Sequence, residues 1–295
     1  MARFVRMIVV IAAIWFGTAS AQEAGSSPMT YTYYDGQVEL GTVKRFHWTV
    51  LGAALERTRA TYGDYKLVEL PPVPGRRQRY ELQQDHPVIT VAAFNGTAEQ
   101  THNILPVRIP VDRGLLGYRV LLIREADQAR FDAIRSAADL KTVRFGLMPW
   151  WNDVEIMRAA GAPVVEGENY DGLFRMLTAG RFDAFSRGIS EVSEDLARAQ
   201  QLAQGLAIEK HLLLHYPLPV YFWFTSDAEG RRRAERVRAG LAAMVADGSL
   251  AALFKAHYGA EMERLGIAGR RVIELTNPQL DGRDPLDDDR LWFHP

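Results

Sequence analysis

The sequence predicts an α/β protein of two lobes, each with its own sheet, joined by two crossing hinge segments. Three observations predict it. Strand-like alternation and helix-like periodicity follow one another from residue 30 onward. The rhythm breaks at an extended stretch between Pro106 and Pro110 and then restarts as a second α/β unit. Beyond that unit the chain makes further strands and long helices, so it must cross between units twice. Residues 28–113 plus 209–276 are expected to form lobe 1, residues 114–208 lobe 2, and residues 277–295 a C-terminal tail.

Residues 30–34 alternate as a strand. Phe46, Val50, Ala54 and Leu55 recur at helical spacing and predict a helix over residues 44–62. Residues 65–70 alternate again. Pro71, Pro72 and Pro74 end that strand, and a polar helix follows. Residues 88–94 read as a buried strand closed by Asn95-Gly96. In the second unit, strands are predicted at 118–123, 143–147 and 163–165, with a helix from Asn152. The block 170–188 is an amphipathic helix, a Gly-Arg-x-Asp-Ala turn and a short strand ending on Arg187. Leu173, Phe174 and Leu177 mark the helix, and Gly180 stands where it should stop. The returning chain shows strands at 211–215 and 220–225, a helix to Val245 capped by a Ser226–Glu229 capping box, and a helix opened by Gly248. The tail is rich in proline and aspartate and is expected to wrap the surface.

The start of the chain reads as targeting rather than fold. Arg3 and Arg6 precede an apolar run over residues 7–16, and Ala19-Ser20-Ala21 offers an A-x-A cleavage pattern. Residues 1–21 are therefore expected to be a cleaved signal peptide, and the mature protein a soluble periplasmic one. The apolar run is about half the ~20 residues that a span requires. The chain has no cysteine, which excludes disulfides, thiolate chemistry, cysteine–zinc sites and lipid attachment to a new N-terminal cysteine. A formal net charge of −1 leaves no basic excess for a phosphate backbone, so no nucleic-acid partner is expected. The arginine clusters at residues 231–233 and at Arg76, Arg77 and Arg79 lie in helical patterns and are expected on solvated faces.

Four stretches together resemble the extracellular solute-binding proteins of the polar-amino-acid ABC transporter family (solute-binding family 3, bacterial). They are Asp139-Leu-Lys with the following Val-x-Phe-Gly strand, residues 170–184 with the Gly-Arg-x-Asp-Ala block, Tyr216-Pro-Leu-Pro, and Asp247-Gly-Ser-Leu through Tyr258-Gly259. The resemblance spans residues 30–276 and implies a type 2 periplasmic-binding fold that closes on a small ligand. It also implies a small-molecule partner, an inner-membrane permease complex and a monomeric state. Two departures stand out. The family's Thr-x-x-Arg segment, whose arginine grips a ligand carboxylate, keeps Thr97 here but has Gln at position 100. Where the family places an aspartate for the ligand ammonium, this chain has Ser186-Arg187-Gly188. An ordinary amino-acid ligand is therefore not expected; a small polar or anionic organic molecule is.

Arg187 is the foremost candidate ligand-binding residue. A guanidinium at a strand's carboxyl end can present a planar fork to a carboxylate or phosphate, or else pair with Glu191 or Glu194 on the next helix. At such an end it is expected to contribute little to the core. Trp151 and Asp153, with Trp150 and Asn152, follow a strand and open a helix, where indole walls and free N–H groups meet. Tyr34, with Tyr33, ends the first strand, and Asn95 and Thr97 end another. Glu191 completes the set. His211 and His215 have metal-ligand spacing, but the intervening leucines favour a strand and a structural role. No catalytic motif, metal or cofactor is expected. An enzyme on the same scaffold, dehydratase-like, with Glu191, Asp153 or His47 as acid or base, is the alternative, and a sensor partner of a membrane receptor is a third.

Overall fold

The computed structural model describes residues 27–36, 43–97, 101–202 and 204–295. The signal peptide expected at 1–21 lies outside them. Alternating side chains put β1 (Met29–Tyr34) beside β2 (Tyr65–Leu70), in parallel with Met29 opposite Tyr65. The helical stretch between them is broken at Thr58 into α1 (Val43–Arg57) and α2 (Arg59–Tyr62). After the prolines comes α3 (Gly75–Leu82).

The buried strand predicted over 88–94 is shorter than expected. Val88 is 60% exposed and only β3 (Ala92–Phe94) is regular. Residues 90 and 91 are held differently, both donating their N–H groups to the Thr32 carbonyl. That link joins β1 to a three-stranded antiparallel sheet, in which β4 (Ile104–Val107) and β3 flank β11 (Tyr221–Thr225).

The second sheet is built on β5 (Tyr118–Arg124). Its apolar run at residues 120–123 fits a strand covered on both faces. Val120 and Leu122 join one core and Leu121 and Ile123 the other. Next in the chain come β6 (Phe145–Leu147), α5 (Asp153–Ala159), β7 (Val164–Glu166), α6 (Tyr170–Thr178), β8 (Ala184–Gly188), α7 (Val192–Leu202) and β9 (Leu206–Ile208), α4 (Gln128–Asp132) having preceded them. The sheet also holds β10 (Leu212–His215) and β12 (Arg271–Glu274), in the order β12-β10-β5-β8-β6-β7, with β9 also on β5. Sequence alone places residues 209–276 with lobe 1, yet these two strands pair in the second sheet. Leu212–His215 is short and apolar on both sides, so nothing local says which sheet it completes.

Two segments, 108–117 and 216–220, cross between the sheets side by side. Val111 donates to the Val220 carbonyl and Tyr216 to that of Gly117. The chain crosses a third time beyond α8 (Ala228–Ala246) and α9 (Ser249–Arg264), at residues 265–270, to add β12. The two expected hinge segments are thus joined by a third connection. The α8 cap is also shifted. Asp227, not Ser226, accepts the Gly230 N–H at 2.7 Å, and the Ser226 N–H, which the capping box would give to Glu229, goes to the Asn103 carbonyl. The tail folds back: Trp292 covers Gly114, and Asp281 and Asp284 grip Arg108. Among the described residues no single helix is long and apolar enough to cross a membrane.

Candidate functional site

The carboxyl ends of β2, β3, β6, β7 and β8 open toward one another across the crossing segments. Residues at or just beyond them enclose a cavity of about 510 Å³. Lobe 1 contributes Arg76, Arg79, Phe94 and Asn95; lobe 2 contributes Trp150, Trp151, Asp153, Tyr170, Arg187 and Glu191.

The lobe 2 wall is a buried ion cluster. On adjacent strands, Arg119 pairs with Gly188 and Val120 with Arg187, and past the strand ends both guanidiniums reach Glu191, at 3.5 and 3.0 Å. Arg187 is 2% exposed and donates from Nε to Asp195 at 2.5 Å. A second guanidinium nitrogen lies 3.0 Å from Glu191, without hydrogen-bond geometry. The rings of Trp151, Phe185 and Tyr170 surround its guanidinium at 4.9, 5.1 and 5.2 Å. Arg119 lies 2.7 Å from Asp153 and donates to the Tyr216 hydroxyl at 3.0 Å, and that hydroxyl donates to Asp153 at 2.6 Å. The Tyr170 hydroxyl donates to Asp195, and the Gly188 N–H to Glu191. Burial opposes the charge on Arg187, but Asp195 and Glu191 outweigh it and raise its pKa; Asp153 does the same for Arg119. Burial and Asp195 push the Tyr170 hydroxyl up, so it stays protonated as a donor. Two cations here meet three carboxylates.

The lobe 1 wall differs. The Arg79 guanidinium lies over the Phe94 ring at 5.1 Å, and that of Arg76 over Trp150 of the opposite lobe at 5.4 Å. Burial lowers the Arg79 pKa, and the nearby Arg76 cation lowers it further. Phe94 is itself stacked on Trp223, whose indole donates to the Phe94 carbonyl.

No protein-family model and no curated protein matches the sequence. Solved structures do match in shape. An ancestral arginine-binding protein bound to arginine superposes with a TM-score of 0.53 at 16% identity, over 77% of this chain and 97% of its own. The GluR0 ligand-binding core in complex with L-glutamate gives 0.53 at 13% identity, over 79% and 98%. A Salmonella typhimurium periplasmic binding protein of high arginine specificity gives 0.52 at 13%, over 77% and 98%. The chain has the two-lobed, type 2 periplasmic-binding fold. At such identities the likeness is one of architecture.

Within that fold the cleft gathers five of the seven expected site residues: Arg187, Trp151, Asp153, Glu191 and Asn95. Thr97 lines a smaller neighbouring cavity of about 320 Å³ beneath the tail, which Asn95 also reaches. Tyr34 lines neither. It packs with Leu82, Ile89 and Trp223, while Tyr33 stacks on Trp48 at 4.2 Å. Asn152 stands at the N-cap of α5 without a side-chain capping hydrogen bond. His215 is hydrogen-bonded to Glu274 at 2.6 Å and stacked on Tyr118, as a structural histidine would be. Residues 98–100, where the family arginine would fall, lie outside the described residues.

Sequence reasoning missed Arg119, Asp195 and Tyr216. One signal existed: Arg119 interrupts the apolar run of β5, and a charge inside a doubly covered strand must find a partner. Arg76 and Arg79 are the other correction. Both line the cleft, Arg79 partly buried and Arg76 still exposed, while Arg77 is exposed as expected, because α3 lies at the cleft's edge.

Proposed function

We propose that this chain is an exported solute-binding protein whose interlobe cleft captures a small polar organic molecule and presents it to an ABC-type importer of the inner membrane. One observation carries the proposal. The cavity of about 510 Å³ stands at the strand carboxyl ends of both sheets, where open α/β sheets bind ligands, and it has the size of ordinary ligand pockets. Aromatic walls and charged groups converge on it. Micromolar affinity needs about 8 kcal/mol, which a few charge-assisted hydrogen bonds and an aromatic wall can supply after association costs.

Thermal-shift screening of the purified protein against amino acids, carboxylates, amines and short peptides tests this. A ligand at a hundred times its Kd adds about 2.7 kcal/mol, or roughly 5 °C in Tm for a chain of this size. No shift with any compound would refute the cleft as a ligand site. Capture of a permease from solubilised inner membranes supports the importer partner; capture of a receptor instead points to sensing.

The second reading, an enzyme on this scaffold, is favoured by one observation: His47, Asp153 and Glu191 all line the cleft. Turnover of the bound compound, followed by mass spectrometry, decides between them.

A further inference from the structure

We propose that Arg79, with Arg76 beside it, forms the anion subsite of the cleft, so that the captured solute carries a carboxylate or phosphoryl group seated against α3. The proposal rests on the cleft being the ligand site.

The other buried or half-buried arginines of this protein are satisfied. Arg119 and Arg187 lie on carboxylates. Arg108 is gripped by Asp281 and Asp284. Arg236 donates to the carbonyls of Gly63 and Asp64, and Arg270 to those of Glu209 and Leu212. Among the described residues, Arg79 is the one arginine less than about a third exposed that has no hydrogen-bond acceptor. Its Nε is buried without a partner, and a phenyl ring is what its guanidinium meets. A ring face attracts a cation but accepts no set of N–H bonds. Arg76 likewise has only the Trp150 ring, and no carboxylate among the described residues pairs with either.

Holding a partly desolvated cation next to a like charge is costly unless an anion completes it. No group among the described residues does so, and both guanidiniums face the cavity. An anion from solution would fill that role. The opposite wall cannot compete for it, because its two guanidiniums are already matched by Asp153, Glu191 and Asp195. The anionic group is therefore steered to lobe 1.

The test is fluorescence titration of the cleft tryptophans with succinate and with inorganic phosphate, in the intact protein and in Arg79→Gln and Arg76→Gln. Succinate, phosphate or both should bind the parent, with Arg79→Gln weakening the binding at least tenfold and Arg76→Gln less. Which probe binds separates a carboxylate from a phosphoryl subsite. The unliganded Tm of Arg79→Gln should match or exceed the parent's, since an unpaired cation is removed; a merely structural arginine would lower it. Failure of both anions to bind the parent overturns the proposal, as does unchanged affinity in Arg79→Gln. A neutral or cationic compound that shifts the parent and Arg79→Gln equally would leave the cleft as a ligand site while refuting the anion subsite.

Discussion

Arg187 stands where the sequence places it, but its neighbours change its meaning. A strand-end arginine would contribute little to the core. This one sits with Asp195 and Glu191 among three aromatic rings. Removing a buried cation strands its carboxylates, which costs about 3–5 kcal/mol. Arg187→Ala should accordingly lower unfolding stability by that amount in urea titration; a stable variant would show the cluster to be incidental. A second residue-scale effect lies in a crossing segment. Asp112 accepts the N–H groups of Gly114 and Leu116, yet burial dominates and raises its pKa to about 6. Between about pH 4 and 6 the folded state keeps a proton that the unfolded chain has released. The native state therefore loses stability through Asp112 as pH rises across that window, by at most about 3 kcal/mol. The Tm of Asp112→Asn, measured from pH 4 to 7, should rise relative to the parent as pH increases. A constant difference would refute the assignment.

At the scale of elements, the two lobe 2 blocks that carry the family resemblance turn out to be one packing unit. Gly180, at φ 68°, ends α6 as its position predicts. Phe182 then lies flat against Gly146 of the Val-x-Phe-Gly strand, where any Cβ would fall about 2.1 Å from the ring. Asp183 accepts from the backbone N–H and the guanidinium of Arg144, which pulls its pKa down despite burial. The Gly-Arg-x-Asp-Ala pattern is thus a clasp between α6, β6 and β8, and its job is structural. The start of α8 shows how a local rule can be right in kind and wrong by one residue. Asp227→Ala should cost about 1 kcal/mol, while Ser226→Ala should leave the helix and the Tm unchanged. The reverse result would restore the capping box read from sequence.

For the whole molecule, the alternation of strands and helices was legible because each element is encoded by residues a few positions apart. The α/β class, the order of elements, the crossing near Pro106–Pro110 and most of the cleft's loops follow from that. Which sheet β10 and β12 join was not legible, nor was the third crossing that results. Both depend on partners such as Arg119, which lies 97 residues from Tyr216. The same holds for charge. Sequence shows where arginines stand along the chain, and it placed a cation at the β8 end. Only the tertiary structure decided that Arg187 and Arg119 are enclosed by carboxylates while Arg79 faces the cleft with none among the described residues. Pairing and desolvation are properties of three-dimensional neighbourhoods, which periodicity along a single chain does not specify.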